Sequence, residues 1–239
     1  MPYQSNPAGK STREMAKKRR GTALIIGLIG LVIILILGLL LQNTRVFGIG
    51  SGGILVLLVL LRIIPDIADS LVKRKLKDEK RAIRGAKAEE TIGELLSKLS
   101  DEYLVLHDIT SPYGNIDHIV FSKYAGIFLL ETKSHGGRVE IINGILCANG
   151  KPPEKNFIAQ TLKNTYWLKK TIEQITGKRV WISPVLVFTN AFVEPTRPVK
   201  GISIINKKYL LNILGKAAKQ NLEMAGIWQV REKIAVALQ

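Results

Sequence analysis

A mixed α/β domain behind two membrane-spanning helices is the architecture this sequence predicts. Three observations lead to it. Two long apolar runs lie within the first 64 residues. Beyond them, apolar stripes at helical spacing alternate with short β-branched runs, the pattern of a mixed α/β domain. An Asn143-Gly144 pair between two such runs marks a hairpin turn.

The first apolar run, Thr22 to Leu41, holds twenty residues without a charge. In a helix, about twenty apolar residues cross the ~30 Å hydrocarbon layer of a bilayer. A cleaved signal peptide would show a shorter apolar stretch and a small-residue cleavage site, and neither is seen. The second run, Val46 to Ile64, begins glycine-rich and carries one charge, Arg62. With the short connector 42–45 the two runs read as a helical hairpin, the alternative being one span followed by an interfacial segment.

The chain has 239 residues and a formal net charge of +16, unevenly spread. Residues 1–84 hold 15 Lys/Arg against 5 Asp/Glu, and residues 85–239 hold 20 against 14. Basic residues precede the first span (1–21) and follow the second (65–84), whereas the connector holds only Arg45. Both ends are therefore expected on the cytoplasmic side of the membrane. Residues 65–84 read as a charged linker helix at the membrane surface. The milder excess downstream suits a polyanionic partner. A single cysteine, Cys147, excludes an internal disulfide framework and a cysteine-based zinc site.

Gly85 to Ser100 is a predicted helix, with Ala88, Ile92, Leu95, Leu96 and Leu99 as its apolar stripe. Strands are expected at Tyr103–His107, Ile116–Ser122, Gly126–Thr132, Arg138–Ile142 and Ile145–Ala148, with a loop at His135-Gly136-Gly137. Asn156 to Thr176 is a second helix. Val180 to Phe188 is apolar on both faces and reads as a buried strand. Ile202–Ile205 is a further short strand. Helices at Lys207–Gln220 and Gly226–Leu238 form an extension, 191–239, expected to pack on the domain.

The chemistry concentrates in Asp117, Glu131 and Lys133. Strand residues two apart share a face, so Glu131 and Lys133 lie together. If Tyr124-Ala125-Gly126 is a three-residue hairpin loop, Asp117 pairs with Lys133 and lies diagonal to Glu131. A two-residue loop would send Asp117 to the opposite face. Two carboxylates amid Ile116, Ile119, Leu129 and Leu130 need a partner or a metal. Hard oxygens of this kind suit Mg²⁺ or Mn²⁺. On spacing alone a structural Asp–Lys–Glu ion cluster is an equal alternative. Glu89 borders the apolar stripe of its helix and is a possible third acid. The alternative is a first-turn glutamate favoured by the helix dipole. Gln160 and Asn164, one turn apart, are candidate amide donors. Of the histidines, His118 reads as a packing residue and His135 as part of a turn. No Walker loop, dinucleotide fingerprint or serine elbow is present.

Taken jointly, Gly85-Ala-Lys-Ala-Glu89, Ile116-Asp117-His118-Ile119-Val120, Gly126-Ile-Phe-Leu-Leu-Glu131-Thr-Lys133, Gly137, Asn156-Phe-Ile-Ala-Gln160 and Pro184-Val-Leu-Val-Phe188 resemble the nuclease-related domain (NERD) family. The resemblance covers about residues 85–190, with Ala88 standing where the family often has a second glycine. It implies the PD-(D/E)XK nuclease superfamily and a restriction-endonuclease-like fold, a mixed sheet flanked by helices. It also implies Asp117 and Glu131 as metal ligands, Lys133 as catalytic lysine, Glu89 as the helix-borne acid and Gln160 as the helix glutamine. The expected activity is Mg²⁺- or Mn²⁺-dependent phosphodiester hydrolysis in nucleic acid, with DNA the expected substrate. The alternative is a non-catalytic membrane module that binds nucleic acid or a protein.

Overall fold

A computed structural model describes residues 3–4, 6–45, 47–215 and 224–239, and for 3–4 the backbone alone. The chain divides into two compact units, residues 12–83 and residues 1–11 with 84–239.

Helix α1 spans Lys10–Gln42 and helix α2 spans Ser51–Leu96. In the smaller unit their segments run antiparallel and close together. A Cβ at Gly30 would lie 3.0 Å from that of Ala68, and Arg19 Nη1 donates to the Asp78 carbonyl at 2.8 Å. Small residues at such a crossing let two backbones approach. Leu24, Leu28, Leu31, Leu35 and Leu39 of α1 stand exposed.

Among the described residues, α1 alone is long and apolar enough to cross a membrane. The first expected span is thus supported, and the first residue of the second, Val46, lies outside the described residues. From Ser51 the helix continues through Pro65 and the whole charged stretch to Leu96, so the three helical pieces read from the sequence are one element. Pro65 removes one backbone donor from this helix. Charged pairs one turn apart accompany the crossing, Arg62–Asp66 at 2.8 Å and Lys73–Asp69 at 2.6 Å.

The larger unit is mixed α/β. Its sheet has the order β1-β2-β3-β4-β6-β7, with β5 paired to β4. These are Tyr3–Gln4 (β1), Tyr103–Ser111 (β2), Gly114–Ser122 (β3), Gly126–Ile142 (β4), Ile145–Ala148 (β5), Ile182–Val193 (β6) and Ser203–Asn206 (β7). The pairs β2–β3, β3–β4 and β4–β5 are antiparallel, and β1–β2, β4–β6 and β6–β7 are parallel. Helix α3, Phe157–Thr176, makes the crossover from β5 to β6. Asn156 caps its start, its side chain accepting from the Ala159 N–H at 3.0 Å. Gly177, at φ +68°, ends it with an N–H bond to the Glu173 carbonyl.

One face of the sheet packs on α3 and the C-terminal helices. Leu106, Ile119, Phe121 and Leu129 meet Leu168 and Ile172 of α3, with Met224, Ile227, Ile234 and Leu238 from α5 (Met224–Gln229) and α6 (Arg231–Leu238). On the other face Val105, Val120, Phe128 and Leu130 meet Ile92 and Leu96 of α2 and Leu210 and Leu214 of α4 (Leu210–Leu214). The expected helix Lys207–Gln220 is a 3-10 turn, Lys207–Tyr209, followed by α4, and residues 216–220 lie outside the described residues. The expected Gly226–Leu238 helix is broken at Val230.

Strand β4 corrects the expected loop at His135–Gly137. It runs seventeen residues unbroken, because β6 pairs with both its halves, and one extra residue is absorbed as a bulge between Lys133 and Gly136. Gly137 sits at φ +83°, and the Asn149 side chain occupies the space a Cβ would need. Asn149 Oδ1 accepts from the Arg138 N–H at 2.9 Å.

Candidate functional site

The β3–β4 hairpin positions the acids, and its register differs from the one expected. Ser122 pairs with Gly126 and His118 with Leu130. The loop is therefore Lys123-Tyr124-Ala125, one residue earlier than read from the sequence. Ser122 closes it, its hydroxyl accepting from the Ala125 N–H at 3.0 Å, and Gly126 at φ +108° re-enters the strand. The shift is two residues in pairing, so parity survives. Asp117 comes opposite Glu131, not Lys133. There the ladder gives way to a side-chain bond, Thr132 N–H donating to Asp117 Oδ2 at 2.6 Å.

Glu131 is buried at 2 % exposure. Lys133, two residues on, donates from Nζ to Glu131 Oε1 at 2.6 Å, and the same Nζ lies 4.6 Å from the centroid of Phe157 at the start of α3. Glu131 Oε2 is buried with no hydrogen-bond partner. Burial is the largest cause that raises the Asp117 carboxyl well above its usual range, followed by the charges of Glu131 and Glu89. Lys133 and the Thr132 N–H oppose the rise. The acids of β3, β4 and α2 thus share one electrostatic neighbourhood, with the Lys133 ammonium beside Glu131. Asp117 and Glu89 are half-buried. Among the described residues, no three His, Cys, Asp or Glu side chains form a ready-made metal cluster.

Gln160 reaches elsewhere. Its Nε2 lies 3.8 Å from the place a Cβ would take on Gly114, three residues before Asp117. Asn164, the second amide candidate, is buried, with Oδ1 2.8 Å from the Ser111 hydroxyl, and faces the core. His118 packs as expected, but with a partner the sequence reading missed. Its Nδ1 lies 2.7 Å from Nδ1 of His107, both buried. Burial lowers His107 to about 4, Asp108 opposing, and takes His118 well below its usual value, helped by His107. Both rings are thus neutral at pH 7, and one donates to the other. The missed signal was the strand pairing itself, which sets residue 107 opposite 118. His135 stands edge-on to Phe157 at 5.2 Å. Burial and the charges of Lys133 and Arg84 lower its pKa, and Glu154 opposes.

Residues 84–189 match the family model of the nuclease-related domain. This segment is a NERD domain. The match runs from Arg84 on α2 to Thr189 on β6 and takes in Glu89, Asp117, Glu131, Lys133 and Gln160. No curated protein matches the chain, and no solved structure does. The NERD match gives the segment a nuclease-related character.

Proposed function

We propose that this NERD domain is a divalent-cation-dependent nuclease, with DNA as its expected substrate, held at the cytoplasmic face of a membrane. The observation that carries the reading is the unpartnered, buried Oε2 of Glu131 beside Asp117. An orphaned anionic oxygen next to a second acid is costly unless a cation joins them. Hard carboxylate oxygens fit Mg²⁺ or Mn²⁺.

Asp117 and Glu131 would hold the ion. When bound, it supplies Lewis acidity toward the phosphate and a more acidic water. Asp117 is held in place through the Thr132 N–H, and Glu131 through Lys133. Lys133 carries the positive charge that offsets charge developing on the phosphate. Glu89 adds negative potential that draws the cation in. Gln160, beside Gly114, donates its amide to the substrate at the flank of the acid pair. The superfamily implied by the motifs supports the same roles. Helix α1 supports anchoring. The apolar start of α2 would be the second span of a multi-pass hairpin, and the flanking basic residues favour a cytoplasmic domain.

A second reading is a membrane module that binds nucleic acid or a protein without cutting. The lack of a ready three-ligand cluster among the described residues favours it. The full-length protein in detergent micelles separates the two. Plasmid, linear DNA and RNA are incubated with Mg²⁺ or with EDTA, alongside Glu131→Ala and Lys133→Ala. The nuclease reading expects Mg²⁺-dependent cutting that both variants lose while circular dichroism is unchanged. Retention of nucleic acid without cutting supports the second reading. Equal cutting by the variants overturns the assignment of the site.

A further inference from the structure

The outward face of α3 takes no part in the site above, and its composition is one-sided. Phe157, Thr161, Asn164, Leu168 and Ile172 turn inward. Lys163, Tyr166 and Lys170 are exposed, Tyr166 at 69 %. At i, i+3 and i+7 they form one strip about 10 Å long. The helix carries one acid, Glu173. That acid is already engaged, accepting from the Val180 N–H at 3.2 Å and lying 3.9 Å from Lys169.

A second exposed tyrosine joins the strip from the sheet. Tyr113, at the β2–β3 turn, is 52 % exposed, and Lys163 Nζ lies 5.9 Å from its ring centroid. The turn is fastened to α3. The Ser111 hydroxyl lies 2.6 Å from the Gly114 carbonyl and 2.8 Å from Asn164 Oδ1, and accepts from the Tyr113 N–H at 3.1 Å. The ring is thus presented from a held backbone. Gln160 lies one helical turn before Lys163, with its amide beside Gly114. The strip therefore begins where the acid-bearing strand β3 begins.

Lysines spaced between exposed aromatic rings suit a chain of alternating phosphates and bases. Base faces stack on the rings, and the phosphates meet the ammonium groups. A duplex hides those faces, so the strip favours an unpaired strand. The same residue pair occurs at Lys123 and Tyr124, 5.1 Å apart. There Asp101 and Glu102 act on Lys123, so a phosphate would be repelled. On α3 no free carboxylate interrupts the strip.

We propose that Tyr113, Lys163, Tyr166 and Lys170 form the track on which the NERD domain holds single-stranded nucleic acid, leading it past Gln160 toward Asp117. The proposal rests on the nuclease reading for its direction, but its test does not require cutting. The full-length protein in detergent micelles is titrated, in EDTA, into a fluorescently labelled oligothymidylate and into a duplex of equal length, with anisotropy as the readout. Tyr113→Ala and Tyr166→Ala should each weaken single-strand binding about 5- to 150-fold, the range of one lost base stack. Tyr166→Phe should retain it, and Lys163→Gln should lower the salt dependence by about one phosphate contact, a slope change of ~0.7. Tyr124→Ala should bind as wild type, and the duplex should bind more weakly and ignore the tyrosine changes. Single-strand binding that is absent, or unaffected by both tyrosine changes, overturns the track. Tyrosine-dependent binding by a protein that never cuts in Mg²⁺ keeps the track and removes the nuclease reading. Mg²⁺-dependent cutting with tyrosine-independent binding does the reverse.

Discussion

Lys133 satisfies one oxygen of Glu131 and leaves the other bare. Nζ donates to Oε1 at 2.6 Å, while Oε2 is buried without a partner. With Asp117 beside that bare oxygen, a divalent cation is the simplest group that would complete it.

Glu131→Gln keeps the side-chain shape and removes the charge. Nuclease activity should fall by at least about 10²-fold, the usual loss when one charge-stabilising group of a site is removed. A plasmid-nicking assay at saturating Mg²⁺ checks this, with thermal denaturation as the control for folding. A loss of less than a few-fold counts against Glu131 as a ligand.

Lys133→Met should separate binding from chemistry. Its ammonium is assigned to the phosphate, so kcat should drop about 10²- to 10³-fold while cation affinity stays close to wild type. If cation binding disappears with the lysine, its role is to position Glu131 alone.

The raised carboxyl of Asp117 gives a signed pH dependence. The folded state holds this proton more tightly than the unfolded chain. Without metal, Asp117 therefore lowers stability progressively as pH rises from the ordinary carboxylate range through its raised folded value. Subtracting the Asp117→Asn melting curve from that of wild type between pH 4 and 8, in EDTA, isolates the effect (pH limits chosen about the usual range). The difference should move against wild type as pH rises, and Mg²⁺ should reverse it. A difference independent of pH contradicts the shared acid environment.

Gly137→Ala should destabilise the protein more than Gly144→Ala. Both glycines have positive φ, at +83° and +78°, so each change carries about 1–2 kcal/mol of backbone cost. A Cβ at Gly144 meets nothing, whereas at Gly137 it meets the Asn149 side chain. Urea denaturation of both variants reads the difference. Equal losses mean that Asn149 moves aside freely.

Much of this fold was legible before the structure. Hydrophobic period placed α3, the β3–β4 pair and the buried β6, and Asn143-Gly144 marked the β4–β5 hairpin. The misses have physical causes. Gly126 was read as the last loop residue, yet it is the first paired one, because Ser122 closes the turn a residue sooner. The Gly136-Gly137 pair read as a break, yet pairing with β6 carries β4 through it as a bulge. Pro65 and a dense charge run read as helix boundaries, but α2 absorbs both. The acids were legible as residues near one another. The bare Oε2 and the Thr132 N–H on Asp117 depend on atomic positions that no spacing rule provides.

The most direct test is Mn²⁺ binding to the full-length protein, read by electron paramagnetic resonance in the absence of nucleic acid. The wild type should hold a bound ion that Mg²⁺ displaces, and Asp117→Asn and Glu131→Gln should each lose it while remaining folded. Mn²⁺ bound as tightly by both variants as by wild type would contradict the account.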